Sequence, residues 1–170
     1  MMITFIAFVF LFRIATVILS VRNERALKEA GAVEFGVRNS NLLAIAHVLF
    51  FLFATMEAVR RPPLFDTISI IGLILYGISV ISILIVIRLL GRLWTVRLLI
   101  AQDHSLVSHP LFRIVRHPNY FLNVLPELAG FALVLHAYYT LLIGLPLYLI
   151  PLVIRMRQEE AAMRQKFTDY

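Results

Sequence analysis

ISIIGLILYGISVISILIVIRLL, residues 68–90, holds a single charge, Arg88, close to its far end. At about 1.5 Å per residue, a helix of that length matches the roughly 30 Å hydrocarbon core of a bilayer. Four further apolar runs flank it, at about residues 2–21, 42–59, 121–135 and 138–154. Hydrophobic residues make up 61% of the 170-residue chain, against roughly 45–50% in a soluble domain. The chain therefore reads as a membrane protein. A barrel would show alternating strands of about ten residues, whereas these runs are continuous and predict helices. His136 and Ala137 alone separate the last two runs, which predicts an antiparallel helical hairpin. Pro126 predicts a tilt or kink in the fourth run, and Pro146 and Pro151 fall in the fifth. The expected fold class is an all-α integral membrane protein of five transmembrane helices, forming one domain over residues 1–170. The first run lacks a basic start and a small-residue cleavage site, so it reads as an anchor helix rather than a signal peptide.

Lys and Arg outnumber Asp and Glu by 16 to 10, and the cations gather between the apolar runs. Arg22, Arg25, Lys28 and Arg38 follow the first run, Arg92, Arg97, Arg113 and Arg116 follow the third, and Arg155, Arg157, Arg164 and Lys166 fill the tail. With five crossings these three regions share one side, opposite Arg60 and Arg61. The positive-inside bias then places the N-terminus outside and the tail in the cytoplasm. So basic a balance reads as anchoring to anionic membrane lipids, not as binding of nucleic acid. The absence of Cys excludes disulfides, thiolate metal sites and Cys nucleophiles.

Polar side chains are scarce enough that a cluster of them points to chemistry. Arg116-His117-Pro118-Asn119-Tyr120 opens the fourth run, with Gln102, Asp103, His104 and His109 in the linker before it. Pro118 suits a first helical turn, and His117 and Tyr120, three apart, share a face. His104, His109 and His117 match no standard ligand spacing, so no metal is expected. In the tail, Arg155 and Glu159 are four apart, as are Met156 and Glu160, while Met163 and Phe167 repeat an apolar spacing. The fifth helix is thus expected to continue beyond the bilayer as an amphipathic helix. The predicted orientation brings the motifs near residues 117 and 160 to one cytosolic face, where they form a single site.

Glu127 lies about seven residues into the fourth run, where a carboxylate is expensive and calls for a function. Asn123 precedes it by one turn, so both are candidates to line a substrate opening; for a hydroxyl acceptor Glu127 would serve as general base. The alternative is that Glu127 pairs with Arg13 or another buried group for packing. Glu57 and Arg88, near the ends of their runs, are expected to snorkel.

The motifs occur in a telling order: His104-Ser105-Leu106-Val107, Phe112, Arg116-His117-Pro118-Asn119-Tyr120, the hairpin, Arg155, Glu159-Glu160, then Phe167 and Tyr170. This order resembles the isoprenylcysteine carboxyl methyltransferase family. Arg22-Asn23-Glu24, Gly31 to Gly36 and Trp94-Thr95-Val96-Arg97 are similar to its short bacterial members. Pro110, Leu122 and Thr168 stand where the family carries glycine. The resemblance implies an S-adenosylmethionine-dependent methyltransferase whose catalytic part covers about residues 92–170. It implies that His104, Leu106, Val107, His117, Tyr120, Arg155, Glu159 and Glu160 form the cofactor pocket. It implies O-methylation of a carboxyl or hydroxyl on a lipophilic small-molecule or lipidated acceptor that enters from the bilayer. Arg116 is the residue expected to steer the acceptor oxygen. Rival readings are N-methylation of a phospholipid amine, and a noncatalytic scaffold or transporter; against the latter, the chain has no internal repeat.

Overall fold

The computed structural model describes residues 2–100, 115 and 117–166. His104, Leu106, Val107 and Arg116 lie outside these residues. The helices are α1 (Met2–Glu29), α2 (Val37–Arg60), α3 (Thr67–Leu90), α4 (Leu125–Val134) and α5 (Leu145–Lys166). Wider π-helical turns, Asn119–Val124 and Thr140–Gly144, lead into α4 and α5. Each of these turns is followed by a leucine and then a proline, Pro126 or Pro146. A proline has no N–H for the preceding turn, and a widened turn absorbs that loss without breaking the helix. The final helix also runs unbroken to Lys166, past the end of the apolar run.

Among the described residues, four stretches are long and apolar enough to cross a bilayer: Met2–Glu29, Val37–Arg60, Thr67–Leu93 and Thr140–Lys166. The segment expected as another crossing forms a six-residue turn and the ten-residue α4, about 24 Å at 1.5 Å per residue. It is the innermost helix. Leu128, Phe131 and Ala132 are fully buried, packed with Val9 of α1, Phe51 of α2, Tyr76 of α3 and Leu152 of α5. The outer faces of the other helices leave Leu11, Ile45, Ile74, Ile81 and Leu147 exposed, an apolar surface suited to lipid and far beyond what a soluble monomer shows.

One short ribbon departs from the all-helical expectation. β1 (Val33–Phe35) and β2 (Leu98–Ile100) pair antiparallel, Val33 opposite Ile100 and Phe35 opposite Leu98. It ties the linker after α1 to the segment after α3, and Ala162 and Met163 of α5 pack on it. Gly36 then starts α2 with φ +62°, and a side chain there would strike Gln158 of α5.

The opposite end is held by polar contacts too. Asp66 caps α3 through the Ser69 amide, and His136, at φ +52° in the tight turn after α4, bonds both Ser69 and Asp66. Glu57, near the end of α2, accepts from the Tyr139 and Thr140 amides and the Thr140 hydroxyl, at 2.9–3.0 Å, capping the last helix.

Helices α3 and α4 cross at backbone contact through Gly72 and Gly130. A Cβ on Gly130 would lie 2.7 Å from the Gly72 carbonyl oxygen and 2.7 Å from the Tyr76 nitrogen. Without a hydrophobic drive between helices in lipid, small residues of this kind allow the close approach that holds a bundle together. Gly77, on the same helix, faces open space. Gly130→Val is therefore expected to destabilise the protein by about 1–3 kcal/mol or prevent folding, whereas Gly77→Ala should be neutral or stabilising by about 0.5–1 kcal/mol. Thermal unfolding in detergent checks this, and equal effects of the two variants would refute the crossing.

Candidate functional site

The end of the bundle where α1 and α3 finish and α2 begins also receives the start of the α4 segment and the far end of α5. Arg155, on α5, is 4% exposed. A charge buried that deeply needs acceptors on every side. Its guanidinium donates to the Ser40 hydroxyl on α2, to the Val96 carbonyl before β2 (3.0 Å) and to the Tyr120 phenol oxygen (3.3 Å). Asn39 supports the same junction by donating to the Pro151 carbonyl of α5 at 3.0 Å.

From Tyr120 the contacts run outward to the acids. The phenol donates to Glu159 Oε2 at 2.8 Å. His117, stacked on the Tyr120 ring with centroids 5.7 Å apart, lies between the two carboxylates: its Nε2 is 3.3 Å from Glu160 Oε1 and its Nδ1 is 3.7 Å from Glu159 Oε1. His117 is buried, while the side chains of Glu159 and Glu160 remain about one third exposed. Chiefly the hydrogen bond with Glu159, and then its charge and that of Glu160, hold the imidazole pKa above its ordinary value, outweighing desolvation. Arg155 is turned inward; at the rim the two carboxylates face His117, and Arg164 stands 3.9 Å from Glu160 Oε2. Because both carboxylates stay partly exposed, a small cationic ligand can reach them.

Five of the sequence-predicted residues thus come together: His117, Tyr120, Arg155, Glu159 and Glu160. Asn123 and Glu127 do not join them. Asn123 is buried one turn further along, where its Oδ1 accepts from the Ser79 hydroxyl at 3.2 Å and its amide donates to Asn119 Oδ1 at 3.1 Å. Glu127, deeper still and 1% exposed, is ion-paired with Arg13 of α1. His47 Nε2 stands 3.9 Å from its carboxylate, and His47 Nδ1 is 3.2 Å from the Tyr148 hydroxyl. Of the two readings of Glu127 from sequence, the Arg13 pair is present in the fold.

Sequence reasoning missed Asn39, Ser40 and the Val96 carbonyl. An Asn-Ser pair at the mouth of an apolar run is a faint signal, and a backbone carbonyl leaves none. Outside the cluster, Asn23 donates to the Trp94 carbonyl at 2.8 Å, and Glu24 and Glu34 both pair with Lys28 and Arg97. The motifs around residues 22–24, 34 and 94–97 are therefore one brace beside the site.

The sequence matches the Isoprenylcysteine carboxyl methyltransferase (ICMT) family over residues 70–165, a stretch that contains all five clustered residues. An uncharacterized protein of Haemophilus influenzae is 45% identical over 149 residues, covering 88% of this chain and 87% of its own. The uncharacterized protein YpbQ of Bacillus subtilis is 26% identical over 162 residues, covering 94% and 95%. No solved structure matches the chain significantly. The chain belongs to the isoprenylcysteine carboxyl methyltransferase family, and is a multi-pass membrane protein of that methyltransferase family.

Proposed function

We propose that the chain transfers the methyl group of S-adenosylmethionine to a carboxyl or hydroxyl oxygen of a lipophilic acceptor drawn from the bilayer. The observation that carries this reading is the acid pair at residues 159 and 160, held by His117 and Tyr120 and backed by buried Arg155. These residues suit the cofactor: the partly exposed carboxylates of Glu159 and Glu160 attract its cationic centres. The bound cofactor would supply an electrophilic methyl on a sulfonium. Arg155 and Tyr120 hold Glu159 in place, and this fixed geometry is what methyl transfer needs, since much of its acceleration comes from orientation. Arg116 would hold the acceptor oxygen. For a hydroxyl acceptor, Glu127 would take its proton; a carboxylate acceptor has no proton to lose. Asn123 would line the acceptor's path.

The same reading takes the α4 segment as the fourth of five crossings, with the N-terminus outside and the tail in the cytoplasm. Its support is that this segment runs from the His117 end of the bundle to the His136 end, where α3 begins and the last helix starts. A reporter fused after Tyr170 should then read cytoplasmic and one before Met1 external; both on one side would overturn the count.

S-adenosylhomocysteine, the demethylated product, should bind the detergent-solubilised protein in calorimetry. Glu159→Ala or His117→Ala should weaken it about tenfold or more, roughly 1.4 kcal/mol, and unchanged affinity in both would remove the site. Because the acids raise the pKa of His117, its stabilisation is complete below about pH 6.5, the unfolded value, and is lost as pH climbs through the raised value. The thermal midpoint of the ligand-free protein should therefore fall over that rise, and His117→Gln should lack that part of the fall.

Turnover separates the proposed roles. Arg116→Ala should slow methyl transfer about a hundredfold, roughly 2.7 kcal/mol, with S-adenosylhomocysteine affinity unchanged. Glu127→Gln leaves Arg13 buried without its counter-charge, at a cost of about 3–5 kcal/mol in stability. If the acceptor is a hydroxyl, Glu127→Gln is also slow and is partly rescued by raising the pH. An active Arg116→Ala enzyme would show that another group steers the acceptor.

A further inference from the structure

A cavity of about 660 Å³ lies between α2 and the last helix, well within the roughly 300–1,000 Å³ of ligand pockets. Its wall is apolar from Ala46 and Phe50 to Ile143 and Leu147, and Arg60 and Arg61 stand at one end. That end is remote from the acid cluster. Ser40, which touches Arg155, and Arg60 are twenty residues apart on α2, about 30 Å.

Glu57 is the acid among the lining residues, and it is already engaged. Its carboxylate caps the last helix through the Tyr139 and Thr140 amides and the Thr140 hydroxyl. Arg61 lies over the Tyr139 ring, 5.7 Å from its centroid, and neither Arg60 nor Arg61 has an acidic partner among the described residues. Both are exposed. An apolar slot in the hydrocarbon zone, ending in two cations against the single carboxylate of Glu57, has the layout of a phospholipid: tails along the slot, phosphate at the arginines.

We propose that this cavity binds a phospholipid with an anionic headgroup, taken from the leaflet on the Arg60–Arg61 side. A zwitterionic lipid fits the slot equally well but brings its own ammonium to the arginines, so net headgroup charge sets the preference. The acceptor for methyl transfer fits less well, because its reacting oxygen belongs at the other end of the bundle. The inference is independent of the catalytic reading.

The delipidated protein in detergent is titrated with phosphatidylglycerol and, separately, with phosphatidylcholine of the same acyl chains. Native mass spectrometry counts bound lipid and thermal midpoints follow the stabilisation. One phosphatidylglycerol should bind more tightly than phosphatidylcholine. Arg60→Gln and Arg61→Gln should each weaken it about fivefold, the worth of one cation near a membrane surface, and leave phosphatidylcholine unchanged. Ala46→Phe, which fills the slot, should weaken both lipids while the circular dichroism stays helical. Equal affinity for the two lipids would overturn the proposal, as would a preference that survives the Arg60→Gln/Arg61→Gln double variant. A dimer that Ala46→Phe dissolves would assign the cavity to a second copy of the chain instead.

Discussion

A guanidinium cannot be left dry without acceptors, and in this protein the demand of Arg155 organises one whole end of the bundle. Its partners sit on α2, on the strand approach after α3 and on the turn before α4, while Arg155 itself belongs to α5. Those four elements therefore share one register. The acid pair one turn beyond Arg155 gains its position from this arrangement: Tyr120 is fixed by Arg155 and in turn fixes Glu159. What holds the protein together at this end is also what shapes its site.

The apolar runs made the long helices legible, because hydrocarbon tolerates neither charges nor unpaired backbone groups. The basic linkers and the alternation of crossings then brought residues 117 and 160 together on paper, as they are in the fold. Other features depended on pairings that sequence does not display. β1 and β2 are three residues each and separated by more than sixty positions, too short for alternation to stand out. Ser40 looks like any serine at a helix start until Arg155 arrives beside it. Nor does an apolar run disclose how far it must reach: α4 is short, and enclosed by its neighbours, it faces protein on most sides. Glu127 announced itself by its depth, yet its partner lay 114 positions away, one candidate among several.

The polar contacts are graded by depth. Near the linkers, Glu24, Lys28, Glu34 and Arg97 form an ion-pair lattice open to water, where solvent screens each pair and leaves it weak. In the bilayer zone, Arg13 and His47 meet at the buried carboxylate of Glu127, where losing one partner is far more damaging than gaining the pair is helpful. The first group fixes orientation cheaply, and the second makes the arrangement of α1, α2 and α4 close to obligatory.

That obligation has a consequence for how the chain is made. Arg13 enters the membrane on the first helix, while its counter-ion is encoded on the fourth, 114 residues later. During synthesis the first helix must carry an uncompensated cation, worth about 2.5–3.5 kcal/mol near a helix centre, through the insertion of two more helices. Glu127 then arrives with the opposite charge on a segment too short to be comfortable in lipid alone. Each is the remedy for the other, so the arrival of α4 is the step at which a loose set of inserted helices acquires a reason to close into a bundle.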